Sequence, residues 1–306
     1  MNTTPSFTHT LRQRWQAADS MLCVGLDPDP ARIPAHLGTG PEAIDRFCRD
    51  IIAATADTVC AFKPQIAYFA AQGAEDVLAG LIAHIHAEHP GIPVILDAKR
   101  GDIGSTARQY GVEAFDRFKA DALTLSPFMG FDSIEPYFEW AGRGLILLCR
   151  TSNPGGNDLQ ALSVLPAGNA TGTPPGAPSP RQSASDTTSS AQPEKLYEHL
   201  ARLAAGPWNV SGELGLVVGA TFPDELARVR ALAPRLPLLV PGVGAQGGDV
   251  NATVRAGLDA DGYGLVINSS RAILYAGQGT DFADQARKAA VATRDAIRAA
   301  RDAARA

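Results

Sequence analysis

The chain has 306 residues, more than a small domain but within the range of one α/β barrel, so its length does not require two domains. With 45% hydrophobic and 19% charged residues, its composition excludes a disordered or fibrous protein. The 27 basic and 32 acidic side chains give a net charge of -5, which argues against a nucleic-acid-binding protein with a basic face.

The cysteines and the first residues predict a cytoplasmic protein. Cys23, Cys48, Cys60 and Cys149 form no C-x-x-C pair, which is typical of reduced thiols in a reducing compartment. The amino end lacks a basic segment followed by an apolar one, and no apolar run reaches the length of a membrane span. We therefore expect neither a leader sequence nor a membrane partner.

Short apolar runs alternate with segments of helical spacing along the chain, after a first helix at residues 7–18. The predicted strands are residues 22–25, 59–62, 94–96, 122–125, 145–149, 214–218, 238–240 and 263–267. The predicted helices between and after them are residues 43–56, 74–89, 105–118, 223–233, 248–256 and 282–306. Eight such units predict an α/β fold, a (β/α)8 TIM barrel forming a single domain over residues 1–306. An open, doubly wound sheet is the alternative.

Residues 166–193 differ from the rest of the chain because they contain no bulky aliphatic or aromatic side chain. Such a segment cannot bury enough apolar surface to offset its ordering entropy. We expect a mobile insertion within the barrel, after the fifth strand and before the next helix. An ordered lid is the alternative interpretation for a loop of this length.

The sequence DAKRGDIGST, residues 97–106, places two carboxylates and an ammonium directly after the third predicted strand. If this strand stays extended, the side chains of Asp97 and Lys99 point to the same face. Gly101 interrupts the strand, so Asp102 lies on a loop and can reach the same space or a neighbouring subunit.

Two further charged residues, Asp27 and Lys63, follow the first and second predicted strands. Either one alone is as compatible with a structural salt bridge as with a functional role. Together with Asp97 and Lys99, they place opposite charges from three successive strands at one end of the barrel. Such an alternating array keeps each group ionised and suits a reaction in which negative charge moves.

A phosphate site is predicted after the last two strands. The glycine-rich sequence PGVGAQGG, residues 241–248, follows the seventh strand, and NSSR, residues 268–271, follows the eighth. Small residues let backbone N–H groups approach an anion, and Arg271 supplies a bidentate donor. Ordinary turn chemistry would explain the glycines alone, but their place in the barrel and the arginine favour phosphate binding.

We expect neither a metal nor a cofactor. His84, His86 and His89 lie on a predicted helix far from the strand ends, which argues against a metal site. The sequence contains no G-x-S-x-G, H-E-x-x-H or Walker motif, and we find in it no indication of a nucleotide cofactor. Catalysis would then depend on the charged array itself.

The sequence DAKRGDIGST resembles the signature of the orotidine 5'-phosphate decarboxylase family, in its bacterial branch. Five further blocks fit the same resemblance in the right order: VGLDP at 24–28, FKPQ at 62–65, TSNPG at 151–155, PGVGAQGG at 241–248 and NSSR at 268–271. The insertion at 166–193 is longer than this family leads us to expect.

The resemblance implies cofactor-free loss of CO2 from orotidine 5'-monophosphate (OMP) to give uridine 5'-monophosphate (UMP), with Lys99 protonating C6 of the ring. It also implies a homodimer whose active sites are shared across the interface. It implies a charged tetrad of Lys63, Asp97, Lys99 and Asp102, in which Asp102 reaches the active site of the partner subunit. Asp27 and Thr106 would contact the ribose, Thr106 also from across the dimer, and Ile103 would line the pocket. Ser152 would contact the pyrimidine ring, while Gln246 and Arg271 would contact the phosphate and Gln246 would also touch the base.

Two alternatives stay open. A sugar-phosphate aldolase or epimerase could share the late phosphate site and an Asp-x-Lys strand. A regulatory protein that binds a phosphorylated metabolite could keep the barrel without the activity.

Overall fold

The computed structural model describes residues 6–165, 192–242 and 249–306. Eight parallel strands in this part of the chain form one sheet, and two short strands form a separate antiparallel pair. In chain order the strands are β1 (Leu22–Leu26), β2 (Ala61–Pro64), β3 (Ile95–Arg100), β4 (Ala122–Leu125), β5 (Gly144–Arg150), β6 (Ser163–Val164), β7 (Glu194–Lys195), β8 (Leu214–Val218), β9 (Leu238–Pro241) and β10 (Leu265–Ser269).

The eight parallel strands follow one another in the order β2-β1-β10-β9-β8-β5-β4-β3. Parallel bridges from Phe62 to Val94 and from Gln65 to Asp97 join β2 to β3 and close the sheet on itself. The predicted (β/α)8 barrel is confirmed, and the open doubly wound sheet is wrong.

Helices surround the barrel and cover the outer face of the strands. They are α1 (Phe7–Ala18), α2 (Gly40–Thr55), α3 (Ile66–Ala70), α4 (Glu75–Glu88), α5 (Gly104–Gly111), α6 (Leu196–Ala205), α7 (Pro223–Leu232), α8 (Val250–Gly257), α9 (Arg271–Leu274) and α10 (Phe282–Arg305). A π-helical stretch, Val112–Arg117, continues α5, and short 3-10 turns occur at Ala35–Leu37, Ala56–Thr58, Pro127–Met129, Phe131–Ser133, Glu135–Glu139 and Pro154–Asp158. In the described ranges, no helix combines the length and the apolar character needed to cross a membrane.

All eight predicted strands are present, but several extend further towards their carboxyl ends than the apolar runs do. β3 continues from the predicted 94–96 to Arg100, and β2 ends at Pro64 beyond the predicted 59–62. The physical reason is that the barrel interior becomes polar near its mouth, so the last strand residues are no longer apolar. Strands β1, β4 and β8 are buried along their whole length, because one face meets the interior and the other meets helices.

Most of the predicted insertion, residues 166–191, lies outside the described residues. On either side of it, Ser163 pairs with Lys195 and Val164 pairs with Glu194 in an antiparallel hairpin that the sequence did not predict. Helix α6 then begins at Leu196.

Candidate active site

A buried ion pair between Lys63 and Asp97 lies at the carboxyl end of the barrel. The Lys63 Nζ is 2.8 Å from Asp97 Oδ2, and both side chains are more than nine-tenths buried. The two residues are 34 positions apart in sequence and meet because β2 and β3 are neighbours across the closure of the barrel. The structure thus brings two of the sequence-predicted site residues into direct contact.

Lys99 completes a three-membered array around the same carboxylate. Its Nζ lies 2.6 Å from Asp97 Oδ1, while about half of its side chain stays exposed to the mouth. The predicted convergence of these side chains is therefore present, but not on a regular strand. Lys99 has a φ of 46°, in the left-handed region, and the pairing of β3 with β4 is irregular between Leu96 and Arg100. Such a conformation is costly for a non-glycine residue and is typical of functional sites.

Thr124, on β4, holds this irregular segment in place. Its hydroxyl donates to Asp97 Oδ1 at 2.9 Å and accepts the backbone N–H groups of Ala98 and Lys99, each at 3.0 Å. Sequence reasoning missed this residue. The signal was a single polar side chain within an apolar strand that adjoins β3.

The charges of the array stabilise one another. Burial alone would raise the pKa of Asp97, but Lys63 and Lys99 outweigh it and hold that pKa well below its usual range. Burial alone would lower the pKa of Lys63, but the carboxylates of Asp97 and Asp27 outweigh it and raise that pKa. The site therefore keeps a buried negative charge between two ammonium groups at neutral pH.

Asp27 lies just beyond β1, beside the array. Its Oδ1 is buried and has no hydrogen-bond partner among the described residues. Tyr275 fixes the backbone around it, because its hydroxyl donates to the Asp27 carbonyl at 2.8 Å and accepts the Asp29 N–H at 2.6 Å. An unsatisfied buried acceptor is unfavourable, so this carboxylate is suited to receive a hydroxyl donor from a ligand.

Asp102, Ile103 and Thr106 are not brought into the array of their own chain. Asp102 accepts the N–H of Ile103 at 2.8 Å, and no ion pair joins Asp102 to Lys99 within the described residues. Ile103 is 47% exposed and Thr106 is exposed on α5. Ile103 and Thr106 thus lie on the surface, and Asp102 is half-buried beside them.

Of the two predicted phosphate residues, Arg271 follows β10 at the carboxyl end of the barrel. Arg271 is the first residue of α9 and its side chain is exposed. Behind it, the Asn268 amide donates to the Ser270 hydroxyl at 3.2 Å, and a β-carbon at Gly25 would overlap that hydroxyl oxygen. Gly25 therefore lets β1 approach this turn closely. Gln246 lies outside the described residues.

Ser152 follows β5 and is half-buried. It packs directly on Gly219, where an added β-carbon would lie 2.7 Å from the Ser152 β-carbon.

Away from the mouth, His86 Nε2 lies 2.9 Å from Asp121, at the amino end of β4. In the described ranges, no three residues of the His, Cys, Asp or Glu types are grouped so that they could hold a metal ion.

Comparison with known proteins gives the family. Residues 20–170 match the family described as "Orotidine 5'-phosphate decarboxylase / HUMPS family". The orotidine 5'-phosphate decarboxylase of Azoarcus sp. (strain BH72) is 63% identical over 291 residues, which cover 95% of this chain and 98% of that protein. This chain belongs to the orotidine 5'-phosphate decarboxylase family. The enzyme of that name from Aromatoleum aromaticum is 62% identical over 95% of this chain and 98% of its own length.

A solved structure shows the same fold. The OMP decarboxylase of Leishmania donovani superposes with a TM-score of 0.77 at 40% identity, covering 97% of this chain and 99% of that one. The likeness extends over almost the whole chain, as the resemblance of the six sequence blocks implies.

Proposed function

We propose that this protein decarboxylates orotidine 5'-monophosphate to uridine 5'-monophosphate, a step of pyrimidine biosynthesis. The observation that carries the proposal is the Asp97 carboxylate held between the ammonium groups of Lys63 and Lys99. The family membership supports the same reaction, because relatives about 60% identical over nearly the full chain carry this activity in their names.

The chemistry requires a stable place for negative charge. When the bond between C6 and the carboxylate breaks, CO2 leaves and the electron pair stays on C6, where no conjugated group accepts it. A preorganised ammonium next to C6 stabilises this charge in the transition state. Lys99 then donates one proton to C6 and regains one from solvent, which its half-exposed side chain can reach.

Asp97 contributes in two ways. Its hydrogen bond and ion pair fix the Lys99 ammonium, so no reorganisation is needed during the reaction. Its lowered pKa keeps it negative, so it repels the carboxylate of the bound substrate. This repulsion is relieved when the carboxylate leaves as neutral CO2. Lys63 keeps the buried Asp97 ionised.

The remaining parts of the substrate are assigned to the residues that the family resemblance indicates. Asp27, with its unpartnered buried oxygen, is suited to a ribose hydroxyl, and Ser152 to the pyrimidine ring. Arg271 and Gln246 would hold the phosphate, whose binding energy can order the loops around the reacting carbon.

We further propose a cytoplasmic homodimer with shared sites. The exposure of Ile103 and Thr106, and the lack of an ion pair between Asp102 and Lys99 among the described residues, support their action in the site of a second copy. All four cysteines are buried and unpaired, in keeping with a reducing compartment.

The proposed reaction is tested by following the ultraviolet absorbance change as purified protein converts OMP in the presence of a chelator. Turnover that resists both chelator and borohydride is expected. No absorbance change with OMP, or a lysine adduct trapped by borohydride with a sugar phosphate, would contradict the decarboxylase and favour an aldolase.

A further inference from the structure

A fully buried arginine lies immediately before the segment that carries Ser152. Arg150, the last residue of β5, is 1% exposed. Its guanidinium pairs with Glu225 of α7, donates to Asn157 Oδ1 at 2.5 Å, and stacks over the ring of Phe222 at 4.5 Å. One side chain thus connects β5, the turn Pro154–Asp158 and the start of α7.

Gln160 extends this network to the backbone next to Ser152. Its Oε1 accepts the Thr151 N–H at 2.8 Å, its Nε2 donates to the Thr151 hydroxyl at 2.9 Å, and Arg150 Nη1 lies 3.5 Å from the same Oε1. On the other side, the Gly219 N–H donates to the Arg150 carbonyl at 2.7 Å. The Thr151–Ser152 segment is therefore held from two directions.

Stability alone does not account for this arrangement. A buried ion pair is weak evidence for stability, because desolvation of the two charges offsets much of their attraction. Another buried arginine, Arg230, donates to the carbonyls of Gly257, Leu236 and Gly264 at the opposite end of the barrel, away from the mouth. Arg150 differs because its partners surround a segment of the candidate active site.

We propose that Arg150 and Gln160 are positioning residues that fix Thr151 and Ser152 against the pyrimidine ring and so set where C6 lies relative to Lys99. This inference rests on the proposed contact of Ser152 with the ring. It goes beyond that contact, because neither residue belongs to the motifs that suggested the function.

The test compares the binding of UMP with that of ribose 5-phosphate, which lacks the base. Arg150→Met should weaken UMP binding about tenfold and lower kcat/KM for OMP by up to about 100-fold, because a misplaced ring loses alignment with Lys99. Ribose 5-phosphate should bind within about twofold of the wild type, since its contacts are elsewhere. Arg230→Met is the matched control, since it removes a buried arginine far from the mouth and should reduce thermal stability with both affinities unchanged.

Gln160 provides a second, milder test if Arg150→Met does not fold. Gln160→Leu removes the acceptor of the Thr151 N–H and should reproduce the selective loss of UMP binding. Gln160→Glu keeps that acceptor and should restore binding to within about threefold of the wild type. A merely structural role would instead weaken UMP and ribose 5-phosphate binding together in the leucine variant.

Ser152→Ala tests the proposed contact of Ser152 with the pyrimidine ring separately from the positioning role of Arg150 and Gln160. If Ser152→Ala binds UMP normally, the ring contact is wrong and the positioning proposal falls with it. If Ser152→Ala weakens UMP binding but Arg150→Met and Gln160→Leu bind it normally, the ring contact stands and the positioning role is overturned.

Discussion

The hydroxyl of Thr124 and the carboxylate of Asp97 are joined by a 2.9 Å hydrogen bond inside the barrel. The same hydroxyl accepts two backbone N–H groups of the left-handed segment at Lys99. One threonine therefore orients the acid and supports the strained backbone of the lysine. This relationship predicts a loss of both stability and turnover when the hydroxyl is removed.

Thr124→Val keeps the shape of the side chain but leaves the Asp97 carboxylate and two backbone N–H groups without their partner. We expect a loss of about 1–3 kcal/mol in the free energy of unfolding, and a fall in kcat that exceeds the change in UMP affinity. Urea unfolding and steady-state kinetics measure the two effects. Thr253→Val is the matched control, because the Thr253 hydroxyl is buried without a partner among the described residues and its removal should cost little.

Lys99→Ala should reduce turnover by about 10³-fold or more while UMP still binds, because the variant lacks both the fixed charge and the proton donor. Turnover is measured by ultraviolet absorbance and UMP binding by calorimetry. Lys288→Ala, on the exposed face of α10, serves as the control and should be unchanged. Near-normal turnover in Lys99→Ala would contradict its role as proton donor.

Arg271→Ala should weaken the binding of UMP by about 2–3 kcal/mol and leave that of uridine unchanged, because only UMP carries the phosphate. For turnover, the loss should be far greater with OMP than with orotidine. Arg255→Ala, an exposed arginine on α8, provides the control. Equal losses with the phosphorylated and the bare nucleosides would show that Arg271 is not a phosphate anchor.

The lowered pKa of Asp97 predicts a specific dependence of stability on pH. Its ionised form stabilises the folded state above the unfolded pKa of about 3.9, and this contribution is lost as the pH falls towards the folded pKa. The stability difference between the wild type and Asp97→Asn should therefore be constant from about pH 5 to 9. Below about pH 4 it should shrink, by up to about 1.4 kcal/mol per pH unit.

Urea unfolding at several pH values measures this difference. Asp132→Asn is the control, because it removes an exposed acid with no ion pair in the described chain. Its free energy of unfolding should stay close to that of the wild type at every pH. If the stability difference between the wild type and Asp97→Asn grew as the pH fell, the lowered pKa of Asp97 would be contradicted.

The raised pKa of Lys63 has the opposite effect on the pH dependence of stability. Its contribution is full below about pH 10.4 and is lost as the pH rises through the folded pKa.

Shared sites predict complementation between inactive subunits. Asp102→Ala and Lys99→Ala proteins should each be inactive alone, because each lacks one member of every site. In a mixed dimer, one site would combine the intact Lys99 of one chain with the intact Asp102 of the other. Partial recovery of turnover after co-refolding is expected, and no recovery in dimers shown to be mixed would count against sharing.

Local pattern alone was enough to predict the eight strands, most of the helices and the residues at the strand ends. Alternation of apolar runs with helical spacing depends on nearest neighbours in the chain, and the motif blocks lie within short segments. The boundaries were less accurate where the strands turn polar, as in β3, which continues to Arg100. The hairpin of β6 and β7 was missed because its two strands are only two residues long.

The sequence by itself determined the fold, the family and which charged side chains reach the mouth of the barrel, because each of these is encoded locally. Only the tertiary structure decided which groups meet: Lys63 with Asp97, Thr124 with the backbone of Lys99, and Gln160 with Thr151. The first two of these contacts depend on the closure and register of strands distant in sequence, and the third on the path of the loop after β5. No spacing rule within a single segment specifies them.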